Sequence, residues 1–258
     1  MRSICKKVEI KTELLIVFFL AFISGLFKDV LSFFLIIVVH ELGHVISSLL
    51  YGWKIKKVSF GVCGGFITYD DVIDKSFKEE FLIAISGFLL QTLFYLIAFF
   101  LYKSGALNLR EIAIIKRYHN SILLFNLLPI VPLDGSKIIN VLLNVFIPYK
   151  TSLRITSIIS FISVFLVILY FLTFGLKIEI SYIMILCFLF NKIITFYKDI
   201  PHLFNRFLFE KYSYPNNYKK IKVINGLCLE KLRRQRKHVF IMGKKHYTEK
   251  EILLKIFD

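Results

Sequence analysis

Long uncharged stretches recur along this chain and limit it to folds in which most of the surface is solvated by lipid. They run from Leu14 to Phe27, from Val30 to Val39 and onward, from Phe81 to Tyr102, from Tyr118 to Leu133, from Ile155 to Leu176 and from Ile180 to Asn191. At about 1.5 Å of rise per residue, most of these come close to crossing a hydrocarbon core of about 30 Å. A content of 57% hydrophobic residues with 28 Phe, and a mean hydropathy of +0.68, exceeds what a water-soluble core requires. The reading is a membrane all-α protein of about six transmembrane helices. The first stretch follows a basic N-terminus but lacks a small-residue cleavage site, so it reads as a span rather than a removed signal.

The net charge of +16 is placed unevenly. Arg2, Lys6, Lys7 and Lys11, then Lys54, Lys56 and Lys57, then Lys150 and Arg154, and finally the basic tail fall on one side of a six-span arrangement. Cytoplasmic loops carry the Lys and Arg excess, so both termini are expected in the cytoplasm. The basic tail reads as attracted to anionic lipid rather than to nucleic acid. Cys5, Cys63, Cys187 and Cys228 have no paired spacing and suggest neither a disulfide framework nor a thiolate zinc site.

The chain divides into a transmembrane core (1–198), a linker (199–213) and a small cytoplasmic α/β appendage (214–258). Within the appendage Glu230 to Lys237 reads as helix-like, His238 to Met242 as a strand, Gly243 as a turn, and Thr248 to Phe257 as a helix. After the second span, Trp53 to Tyr69 is β-prone, with Val58, Phe60 and Val62 in period-2 alternation and glycines at 61, 64 and 65. This predicts a membrane-associated strand or hairpin.

His40-Glu41-Leu42-Gly43-His44 places two imidazoles one helical turn apart, on one face, where both can reach a single metal ion. Glu41, at the adjacent position, can take a proton from an attacking water. His40 falls mid-way along the second span, where charged or polar groups persist beside a compensating partner or a wet cavity. A catalytic zinc site takes three protein ligands plus water, so a third ligand is needed. Asp134 is the first candidate. It ends Asn126-Leu-Leu-Pro-Ile-Val-Pro-Leu-Asp134-Gly135, in which Pro129 and Pro132 break the helix. Broken backbone at membrane depth lines a cavity or is buried in protein. Two alternatives stay open: Asp134 caps a following helix, or His119, near Lys116 and Arg117, is the ligand instead. Asn126 is a candidate donor to the substrate backbone or the developing oxyanion.

These two motifs resemble those of the site-2 protease family of intramembrane zinc metalloproteases, and in particular its sporulation branch in endospore formers. The likeness extends through Trp53-Lys-Ile-Lys-Lys-Val58 and Gly64-Gly65. It implies one zinc ion on His40, His44 and Asp134, with Glu41 as acid/base. It further implies a CBS-type, ATP-binding tail and cleavage of the sigma-K precursor in the membrane around the forespore. Inhibitory sporulation membrane proteins are also implied, and homo-oligomerisation stays open. Gly87-Phe88 and Gly135-Ser136 depart from the family's Gly-Pro and Gly-Gly, and the tail is shorter than a full CBS module. Two other functions stay open: the same protease acting on a membrane-bound anti-sigma factor, and a non-enzymatic zinc carrier or sensor.

Overall fold

The apolar runs fold into helices, because lipid supplies no hydrogen bonds and each span must satisfy its own backbone. A computed structural model of the chain describes residues 8–61, 64–69, 73–174, 179–213, 218, 221–243 and 245–257. Arg2, Lys6, Lys7, Cys5, Val62, Cys63, Lys177 and Tyr214 lie outside the described residues. In order, the elements are β1 (Val8–Ile10), α1 (Thr12–Ile23), α2 (Phe27–Leu50), β2 (Ile55–Gly61), β3 (Gly64–Tyr69), α3 (Phe77–Lys103), α4 (Leu109–Leu127), α5 (Asp134–Phe146), α6 (Tyr149–Thr173) and α7 (Ile180–Ser213). There follow β4 (Ile221–Asn225), a 3-10 turn (Leu229–Lys231), β5 (Lys237–Met242), β6 (Lys245–Thr248) and α8 (Glu249–Phe257).

Among the described residues, four helices are long and apolar enough to cross a membrane: α2, α3, α6 and α7. The other two expected spans differ for local reasons. Helix α1 stops at Ile23, before Gly25 at φ 74°, and its 12 residues reach about 18 Å. Helix α4 carries Arg110, Glu111, Lys116 and Arg117 in its first half and ends at Leu127, two residues before Pro129.

Two compact units emerge, one of Met1–Asp71 with Leu82–Asn126, the other of Val72–Phe81 with Leu127–Asp258. In the first, β2 and β3 form the antiparallel hairpin expected after the second span, and β1 adds in parallel on the far side of β2, so the sheet order is β1-β2-β3. The alternation is borne out at Val58 and Phe60, which are buried with Leu14, Val45 and Ile55. A second cluster joins Ile36 and Ile37 of α2 to Ile122 of α4.

In the second unit, residues 199–213, read above as a linker, are the final turns of α7, which continues through Pro201. A helix-interior proline costs about 3 kcal/mol. Here Ile200, Phe204, Phe207 and Leu208 form a buried stripe at helical spacing, packed with Tyr149, Leu153, Ile224, Leu232, Phe240, Ile252 and Leu253. That burial offsets the loss. The tail sheet pairs β4 with β5 in parallel and β5 with β6 antiparallel. The strand over His238 to Met242 and the final helix match expectation, whereas Glu230 to Lys237 is not helical beyond the 3-10 turn. Its central residues serve another purpose. Arg234 is buried, pairs with Glu80 and lies over the Tyr149 and Phe77 rings, and the Gln235 backbone N–H donates to Asp74 Oδ1 at 2.9 Å with Gln235 at φ 53°. Cys187 and Cys228 are free thiols.

Candidate metal centre

Helix α2 runs unbroken through the His-Glu-Leu-Gly-His segment, so the four-residue spacing puts both imidazoles on one face. His40 and His44 are 2% and 4% exposed. Their Nε2 atoms lie 3.2 Å apart. Two nitrogens bound to one tetrahedral zinc at about 2.0–2.1 Å would stand about 3.3–3.4 Å apart, so the pair is spaced for a shared ion.

The opposite ring nitrogens decide the tautomers. His44 Nδ1 donates to the Ile83 carbonyl at 2.7 Å, and His40 Nδ1 donates to Gln91 Oε1 at 3.0 Å. With each proton on Nδ1, each Nε2 turns a lone pair toward the other. Two facing lone pairs repel unless a cation lies between them. This donor set fits a metal ion and gives each imidazole the outer partner that metal-bound histidines ordinarily have.

Three glycines make room for this arrangement. A β-carbon at Gly87 would come 2.4 Å from His44 Nε2 and 2.8 Å from His40 Cε1. At Gly43 it would meet the Ser86 carbonyl at 2.4 Å, so α2 and α3 approach to backbone contact there. At Gly65, in β3, it would fall 2.6 Å from the Glu41 carboxyl carbon. Glu41 is half-buried, with its carboxylate laid against the backbone of β3.

Asp134 is 5% exposed and is the first residue of α5. The N-cap position belongs to Leu133, so Asp134 is not the capping residue. Its Oδ1 accepts from the Lys137 ammonium at 2.8 Å. A β-carbon at Gly135 would meet the Leu127 and Leu128 carbonyls at 2.3 and 2.5 Å, so glycine is needed for the chain to fold back after the two prolines. Asn126 is half-buried in the last turn of α4.

His119, the alternative ligand, is not grouped with the two histidines among the described residues. It is 6% exposed, its ring stacks on Tyr95 with centroids 4.7 Å apart, and its backbone carbonyl and Nδ1 receive the Gln91 amide at 2.9 and 3.2 Å. Sequence reasoning missed Gln91. The available signal was a lone carboxamide inside the uncharged run Phe81 to Tyr102, where an amide needs a buried partner.

Residues 29–108, which hold both histidines, Glu41, Gly65, Gly87 and Gln91, match the model of peptidase family M50. The chain carries a peptidase family M50 domain. The chain is 29% identical over 206 residues to the stage IV sporulation protein FB of Bacillus subtilis (strain 168), covering 80% of this chain and 71% of that protein. Among solved structures it is similar in fold to the site-2 protease from Methanocaldococcus jannaschii. The TM-score is 0.55 at 22% identity, over 73% of this chain and 89% of that one. The resemblance to the site-2 protease family, first carried by two short motifs, is thus borne out, and with its apolar helices the chain is a multi-pass membrane protein.

Proposed function

We propose that this chain is an intramembrane zinc metalloprotease in which His40, His44 and Asp134 hold one zinc ion and Glu41 acts as acid and base. The observation that carries the reading is the pair of buried imidazoles with both Nδ1 atoms engaged and both Nε2 atoms converging at 3.2 Å. The carboxylate of Asp134, buried as they are and likewise able to offer one ligand atom, completes a donor set suited to zinc. When bound, zinc lowers the pKa of water toward about 7 and polarises a carbonyl.

The protein's own groups do the rest. Glu41 takes a proton from the attacking water and delivers it to the leaving amine. A carrier or sensor using the same ligands would have no use for a carboxylate at that position. Asn126 donates to the substrate backbone or the oxyanion. Strand β3, one of the two edge strands of the sheet among the described residues, accepts the unwound substrate as an added strand beside Glu41.

For the substrate we favour the sporulation sigma-K precursor, supported by the likeness to a stage IV sporulation protein. Cytoplasmic termini rest on the placement of Lys and Arg; the forespore-surrounding membrane, inhibitory membrane partners and ATP at a CBS-type tail rest on the family resemblance. Co-expression with the sigma-K precursor, followed by immunoblot, tests the reading. Wild type should shorten the precursor and Glu41→Gln should not. A precursor left intact by folded, zinc-loaded wild type would redirect the search to another membrane substrate, such as an anti-sigma factor.

A further inference from the structure

The two imidazoles are held by partners of different kinds. A backbone carbonyl can only accept, so Ile83 fixes the tautomer of His44 without ambiguity. His40 faces a carboxamide, which can present either its oxygen or its NH2 group. Were Gln91 turned the other way, its NH2 would donate to His40 Nδ1. The ring proton would then sit on Nε2, where it blocks a metal.

What decides the orientation lies on the far side of Gln91. Its Nε2 is 2.9 Å from the His119 carbonyl, a pure acceptor, and 3.2 Å from His119 Nδ1. Both of its N–H groups are therefore drawn toward His119, and the oxygen is left facing His40. Gln91 is fully buried, so no solvent competes for either end. Stacking on Tyr95, nearly parallel at 7°, fixes the plane of the His119 ring.

We infer that Gln91, oriented by His119, is a positioning residue that makes His40 a competent metal ligand by holding its ring proton on Nδ1. The inference rests on the zinc reading proposed above and concerns metal binding rather than turnover.

The test uses the full chain in lipid nanodiscs. Zinc affinity is measured by competition with a chromophoric chelator, and the visible absorption of the cobalt(II)-substituted protein is recorded in parallel. Gln91→Leu, which keeps the volume and removes the acceptor, and Gln91→Asn, which withdraws it by one methylene, should each bind zinc about 10–100-fold more weakly and shift the cobalt bands. Gln91→Glu, which as a buried neutral acid accepts from His40 through one oxygen and donates its O–H to the His119 carbonyl through the other, should keep affinity and bands close to wild type. Should Gln91→Leu fail to fold, Gln91→Asn carries the comparison. Unchanged affinity and bands in the Asn variant, even with lower thermal stability, would make Gln91 a packing residue and overturn the inference. Wild type that takes up no zinc would instead overturn the metal reading beneath it.

Discussion

At the residue scale the centre depends as much on missing side chains as on present ones. Gly87 leaves the volume that the two imidazoles occupy, and a methyl group there would overlap ring atoms that rigid helices cannot move away. Gly87→Ala should therefore bind zinc at least about 10-fold more weakly, a loss comparable to removing an outer partner of a ligand. Chelator competition measures it, and wild-type affinity in that variant would show that the rings can move. His40, Glu41 and His44 were legible in the sequence because helical spacing alone puts two donors on one face. Asp134 was legible as an acid closing a proline-broken segment. Gln91 and His119 were not: neither has a spacing signature, and their roles come from how α3 and α4 pack in the first unit. The same packing sets His119 against Gln91 and Tyr95.

At the scale of elements the hairpin is the part to test. Phe60 accepts from the Lys11 N–H at 3.0 Å, so its backbone faces β1. Its partner across the hairpin is Gly65, and by antiparallel alternation Gly65 and Ile67 turn their backbone groups to the free edge, away from β2. Val58 and Phe60 themselves belong to the central strand. Ile67→Pro removes one outward N–H from the edge and spares the inner ladder. In a purified cleavage assay it should lower kcat/KM about 10-fold, the scale of one lost hydrogen bond, with zinc content unchanged. Unchanged kcat/KM would remove β3 from substrate binding. The hairpin was legible from alternation and glycines. Strand β1 was not, since three residues carry too little pattern. The extension of α7 over 199–213 was hidden by Pro201 and by polar residues, although Ile200, Phe204, Phe207 and Leu208 carry the helical period.

At the scale of the whole molecule the chain joins long apolar helices to a small α/β tail with its own pH response. His238 Nδ1 donates to Glu249 at 3.3 Å, and Nε2 accepts the Arg233 N–H at 3.1 Å, an arrangement only the neutral ring can make. Burial lowers its pKa below the ordinary 6.5, and the Glu249 carboxylate opposes this in part. The unfolded tail then binds the proton more readily than the folded one, so stability falls as pH drops below about 6.5 toward the folded value. Limited proteolysis of the full chain, normalised to an unstructured peptide at each pH, should cut residues 221–257 faster at about pH 5.5 than at about pH 7.5. Equal normalised rates would contradict the assignment. Composition made the membrane class legible; among the described residues four helices are long and apolar enough to span, the first helix being cut short before Gly25 and α4 carrying charge in its first half.

The most direct test is zinc content and cleavage measured together on the purified chain in nanodiscs with the sigma-K precursor. Wild type should carry one zinc per chain and cleave, lose cleavage on chelation and regain it with zinc. Glu41→Gln should keep its zinc and lose cleavage by a factor of about 10²–10⁴. Cleavage by Glu41→Gln at the wild-type rate, or by wild type stripped of metal, would contradict the account.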